Sequence, residues 1–122
     1  MSLIEAIREI LIDAGIAPVY MCPIPSEIAA GGAIIGPYMN TVISEDLTGL
    51  LRQRFQCYTR ASSHQDAEEL SQGCFRALAD KYPQADIEAG EIVPRQGPSY
   101  LGEDSNGRYE FVFNFEVACW LV

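Results

Sequence analysis

Residues 108–121, RYEFVFNFEVACWL, alternate in character from one position to the next with no interruption. Tyr109, Phe111, Phe113, Phe115, Val117, Cys119 and Leu121 share one parity, and Arg108, Glu110, Val112, Asn114, Glu116, Ala118 and Trp120 share the other. A period of two is the side-chain period of a β-strand, so the segment predicts one long strand with an aromatic face. At ~3.3 Å per residue it would exceed about 40 Å. A strand of that length calls for neighbours on both sides or for a partner beyond its own domain. Its aromatic face must also be covered, and this demand shapes the rest of the chain.

Residues 50–60, LLRQRFQCYTR, supply a second strand. Leu51, Gln53, Phe55, Cys57 and Thr59 form one face, leaving Arg52, Arg54, Gln56, Tyr58 and Arg60 on the other. That pattern suits a sheet with one wet face, and a row of arginines also suits carboxylates arriving from another subunit. The next segment predicts a helix. Ser62 and Ser63 offer cap hydroxyls, and Asp66, Glu68 and Glu69 place negative charge in the first turn. Ala67, Leu70, Ser71, Cys74, Ala77 and Leu78 make its apolar stripe, Lys81 falls in the last turn, and Pro83 stops it. Gly73 lies within it, where close packing on the sheet would explain a poor helix former. An earlier helix is signalled by a Ser2/Glu5 capping box, by Leu3, Ile7, Ile10, Leu11 and Ala14 at helical spacing, and by Gly15 at the C′ position. Short strands are expected at VYM (19–21) and around EIV (91–93), where Pro94 marks an edge or a strand end. The result is a single α+β domain over 1–122, with a small mixed or antiparallel sheet and two helices packed on one face.

Residues 22–41, CPIPSEIAAGGAIIGPYMNT, form a long irregular loop or arm. It is too apolar for an ordinary solvated connection. Two readings stand: a loop with a short strand at AII folded on its own core, or an arm whose apolar partner is a neighbouring subunit. Net charge is −9, which opposes general phosphate attraction and therefore a grip on nucleic acid. The charge is unevenly placed. Residues 1–50 carry −5, residues 51–83 carry +1 and residues 84–122 carry −5, a dipolar pattern suited either to solvation or to head-to-tail association. Charges threaded through MSLIEAIREI leave no secretory apolar core, and no apolar run approaches the ~20 residues of a membrane span. The expectation is a cytosolic chain with reduced thiols and no membrane partner.

No catalytic constellation emerges. His64 is the only histidine and reads as a first-turn surface residue. Cys22, Cys57, Cys74 and Cys119 lie far apart without a close pair, so neither zinc nor any other metal is expected. Cys57, Cys74 and Cys119 fall on apolar faces, where thiols are inert. GEDSNG (102–107) has the flavour of a calcium loop but not its spacing, and a β-turn at Asn106-Gly107 explains it better. No glycine pattern opens a helix after a strand as a nucleotide cradle requires. The sequence implies no enzyme and no cofactor.

The run QRFQCYTRASSHQDAEELSQGCFRAL (53–78), followed by GPSYLGEDSNGRYEFVFNFEV (97–117), resembles the tail-terminator (tail-completion) proteins of long-tailed bacteriophages, a group overlapping with phage minor capsid proteins. The resemblance covers residues 50–120 and is vague over 16–49. It implies a structural virion protein, assembled in the host cytoplasm, that forms a ring, typically a hexamer, at the head–tail junction. Such a ring caps the tail tube, ends its polymerisation and meets a head connector or head-completion protein, while DNA passes through the lumen without specific binding. A different head–tail connector or tail component is the alternative, and a small-molecule-binding α+β domain a more distant one. Leu101, Gly102, Glu103, Asp104, Asn106 and Gly107 match the family's pre-strand loop, and Arg60 matches the arginine closing its strand. From exposure and charge, rather than from the resemblance, interaction roles are expected for Arg52, Arg54, Arg60, Leu101, Glu103, Asp104 and Asn106.

Overall fold

The computed structural model describes residues 3–21, 32–37, 42–43, 50–79, 81, 88–103 and 107–120. The elements in chain order are α1 (Leu3–Asp13), β1 (Val19–Met21), β2 (Gly32–Pro37), β3 (Val42–Ile43), β4 (Leu50–Ala61), α2 (His64–Leu78), β5 (Glu88–Glu103) and β6 (Tyr109–Trp120). The strands form one six-stranded sheet in the order β1-β2-β4-β6-β5, with β3 pairing β4 beyond the end of β2. β1 is parallel to β2 and every other pairing is antiparallel, so the sheet is mixed and the fold α+β. The long aromatic strand lies between β4 and β5, the central placement that its length requires.

The aromatic face of β6 is the floor of the core. Phe111, Phe113, Phe115 and Val117 are buried there with Phe55, Cys57 and Thr59 of β4, Ile92 of β5, and Ala33 and Ile35 of β2. Phe55 stacks on Phe115 at 5.4 Å between ring centroids, and Phe75 of α2 meets Phe113 edge-on at the same separation. Such pairs add about 0.5–1.5 kcal/mol to their area burial. Both helices cover this face: α1 contributes Ile7 and Leu11, and α2 contributes Ala67, Cys74 and Leu78. Where α2 crosses the sheet, the Thr59 hydroxyl donates to the Ala67 carbonyl, so one polar pair is satisfied inside the core.

The helix ends follow the local signals. Ser63 Oγ accepts from the Asp66 N–H at 3.2 Å and caps α2. α1 ends in paired reverse bonds, Ile16 N–H to the Leu11 carbonyl and Gly15 N–H to the Ile12 carbonyl, with Gly15 at φ +87°. That is the left-handed geometry a C′ glycine supplies without a Cβ clash. Pro94 falls on the edge strand β5, as its missing donor demands.

Four details differ from expectation. α2 ends at Leu78, so Lys81 lies beyond the last turn, which holds Arg76 instead. Gly73 is not pressed on the sheet: a Cβ there would lie 3.7 Å from Ile16 Cδ1, an ordinary contact. β5 runs for 16 residues rather than a short stretch around EIV, and it includes GPSYLGE, which reads in sequence as a loop. Register shifts between Ala89/Ile92, Pro94/Gln96, Gln96/Ser99 and Tyr100/Gly102 absorb its glycines and prolines, allowing it to follow β6 throughout. Finally, the second face of β6 is only partly solvated, because Val112 and Glu116 are buried on it. Within the irregular segment, residues 32–37 form β2 on the chain's own core. Residues 22–31 and 38–41, including Ile24, Ile28, Tyr38 and Met39, lie outside the described residues.

Candidate functional site

The face of the sheet opposite the helices has nothing packed over it among the described residues. Polar rungs run across it. Register places Arg54 beside Glu116, Gln56 beside Asn114, and Arg60 beside Glu110 on neighbouring β4 and β6, with β5 supplying a third column. In the first rung, Arg54 Nε donates to Glu116 Oε2 at 3.1 Å and Arg95 Nη2 donates to Oε1 at 2.8 Å. In the second, Gln56 Nε2 donates to Asn114 Oδ1 at 3.2 Å while Asn114 Nδ2 donates to Gln96 Oε1 at 2.8 Å. In the third, Arg60 Nε donates to Glu110 Oε2 at 2.6 Å. The first two rungs enclose a hollow of about 200 Å³ lined by Arg54, Arg95, Gln96, Asn114 and Phe115.

Glu116 is the buried centre of this network. Burial alone would raise its pKa, but the hydrogen bonds from Arg95 and Arg54 outweigh it and leave the carboxyl below its ordinary value. The outcome is one buried carboxylate clamped by two arginines that are partly exposed.

A second cluster lies where the β5–β6 hairpin meets the start of α2. The His64 ring is 4.9 Å from that of Tyr100, 5.2 Å from Phe111 and 6.1 Å from Tyr109. Glu103 stands opposite Tyr109, whose hydroxyl donates to it. The negative charge of Glu103 and that hydrogen bond together hold the Tyr109 hydroxyl above the ordinary tyrosine value. Tyr100 and Leu101 are the most exposed large apolar residues described, at 48% and 53%. Gly107 has φ +75°, consistent with a turn before β6.

The sequence-derived interaction residues therefore fall in two places. Arg52, Arg54 and Arg60 lie along the open face, where Arg52 is exposed and the other two hold carboxylates of their own sheet. Leu101 and Glu103 lie at the hairpin end, on β5 rather than in a loop, while Asp104 and Asn106 are outside the described residues. Sequence reading missed Arg95, Gln96 and Asn114 as rung members, and Tyr100 as an exposed aromatic. Only the alternation of β6 hinted at Asn114, and the bulges of β5 hid the others.

Chemically, these groups bond to one another and present a wired, polar surface. Among the described residues no group of three or more His, Cys, Asp or Glu side chains gathers as a metal site would require. Cys57 and Cys74 are free and fully buried beside one another, and a hydrogen bond between them, together with burial, pushes the Cys57 thiol well up. A thiol so held is a poor nucleophile.

No curated protein sequence matches the chain. In fold it is similar to a chain of the virion of a native gene transfer agent particle, at TM-score 0.73 and 12% identity, over 98% of this chain and 92% of that one. A family model described as bacteriophage tail terminator protein matches residues 10–119. The match takes in the last turn of α1, the whole of α2 and β1 to β5, and all but the final residue of β6, so the sheet, its rungs and its hairpin end are those of a phage tail structural protein, and the chain belongs to the bacteriophage tail terminator family.

Proposed function

We propose that the chain caps the completed tail tube as a homo-oligomeric ring, six copies in the simplest form, ending tube polymerisation and presenting a surface to the head connector. The observation that carries this reading is the face of the sheet that the described residues leave uncovered, a broad polar surface crossed by preformed rungs. Such a surface is built for contact, since its donors and acceptors are fixed before a partner arrives and less ordering cost falls on assembly. Arg52, Arg54 and Arg60 on that face, and Leu101, Glu103, Asp104 and Asn106 at the hairpin end, are assigned to subunit, tube or connector contacts. The chain's −9 charge suits a lumen through which DNA slides without being held. The ring would form in the host cytoplasm and remain in the virion at the head–tail junction.

Light scattering on concentrated protein, with negative-stain imaging of tail tubes incubated with it, tests the proposal. Rings in solution or on tube ends are expected. A monomer that neither forms rings at high concentration nor caps tubes would overturn it. Dilute monomer is compatible with it, because a weak ring is stabilised by the tube end it binds.

A further inference from the structure

The end of the molecule opposite the hairpin carries a cleft between the C-terminal parts of the two helices. It measures about 380 Å³ and is lined by Ile10, Asp13 and Ala14 from α1 and the segment after it, by Arg76 and Ala77 of α2, and by Lys81. The floor is apolar. Arg76 and Lys81 are exposed at its rim, and Asp13 is the one acid among the described lining residues. The backbone of Lys81 is held, since its N–H donates to the Leu78 carbonyl and its own carbonyl accepts from the Ile92 N–H at 2.7 Å. In a chain with 17 acidic and 8 basic residues, two cations over an apolar floor run against the general charge.

The hairpin end has the complementary character. Tyr100 and Leu101 are exposed, and Glu103, exposed beside them, is paired with Tyr109 across the hairpin. The two patches are at opposite ends of α2: His64, its first residue, packs on Tyr100, and Arg76 and Ala77 lie in its last turn. Fifteen helical residues separate them by roughly 20 Å. A patch at one pole that complements a patch at the other makes a heterologous contact, which closes as a ring or continues as a filament. The long edge strand is a poor alternative contact. Pro94, Pro98 and four register shifts interrupt its row of donors and acceptors, the usual guard against strand addition.

We propose that copies of this chain join head to tail, with Tyr100, Leu101 and Glu103 of one seated in the Ile10–Ala14–Ala77 cleft of the next and Glu103 facing Arg76 and Lys81. The proposal rests on the ring reading and names its contact. It makes the molecule directional along α2, and it leaves the open sheet face available to tube or connector.

The test is complementation between two variants. R76E with K81E disables only the cleft, and L101A with E103A disables only the hairpin end. Each alone should self-associate about tenfold or more weakly than the natural chain. Mixed, they should form a one-to-one complex that grows no further, because a single competent pair of patches remains. Circular dichroism verifies folding, and the milder K81Q and E103Q replace either variant that fails to fold. Carbodiimide coupling of a mixture of 14N- and 15N-labelled natural chain should join Lys81 to Glu103 between molecules. Variants that assemble like the natural chain, a mixture with no one-to-one complex, or coupling confined to other sites would overturn the contact while leaving the ring intact. A natural chain that assembles neither in concentrated solution nor on tubes would overturn the ring, and this contact with it.

Discussion

Glu116 shows how one buried charge organises a surface. It is 5% exposed, yet ionised, because Arg54 and Arg95 each occupy one of its oxygens. Its folded pKa is depressed, so its contribution to stability is fully present above the unfolded glutamate value of about 4.3 and fades as pH falls through the folded value. Glu116→Gln is therefore expected to cost about 1–3 kcal/mol at pH 7, leaving two arginines around a neutral amide. The deficit should shrink steadily below pH 4. Urea titrations at pH 7 and pH 3 measure both numbers, and an equal deficit at the two values would contradict the clamp. This residue also marks the limit of sequence reading. Arg54 and Glu116 are 62 positions apart, and nothing local in either strand announces that they are neighbours. The pairing appears only once β4 and β6 are known to be adjacent and in register.

Elements with a repeating pattern were legible and those built from irregular residues were not. β6 declares itself by alternation, and α2 by its serine cap, acidic first turn and apolar stripe. β5 does not, because Gly97, Pro98 and Gly102 are turn residues by intrinsic preference. Those preferences are overridden by pairing with β6, whose length offers a partner for each of its segments, and the register shifts accommodate what the residues cannot do. The opposite error concerns Gly73, where a glycine suggests a close approach that the structure does not contain. With ordinary space beside Ile16, Gly73→Ala should gain up to ~1 kcal/mol and raise the melting temperature by a few degrees, as read by thermal unfolding. A lower melting temperature would mean that α2 and Ile16 pack more tightly than the 3.7 Å separation indicates.

For the whole molecule, Pro94, Pro98 and four register shifts guard the long edge strand β5 against strand addition. Replacing Pro94 and Pro98 with valine would restore donors and β-propensity to a long, partly apolar edge. That double variant is expected to form sheet-rich aggregates under conditions that leave the natural chain clear, which light scattering and thioflavin fluorescence would record. Unchanged solubility would assign the protection to the register shifts alone. The rungs have a wider consequence. Slide β4 two residues along β6 and each side chain keeps its face, so an aromatic still meets an apolar partner: Phe55 would oppose Phe113 or Val117 instead of Phe115. The core is nearly blind to that misalignment. The opposite surface is not, since either slide parts Arg54 from Glu116 and Arg60 from Glu110, and one of them sets Arg60 against Arg108. Proofreading of strand alignment thus resides on the side that faces the outside world, and any change there that favours a new partner also alters how faithfully the chain finds its own shape.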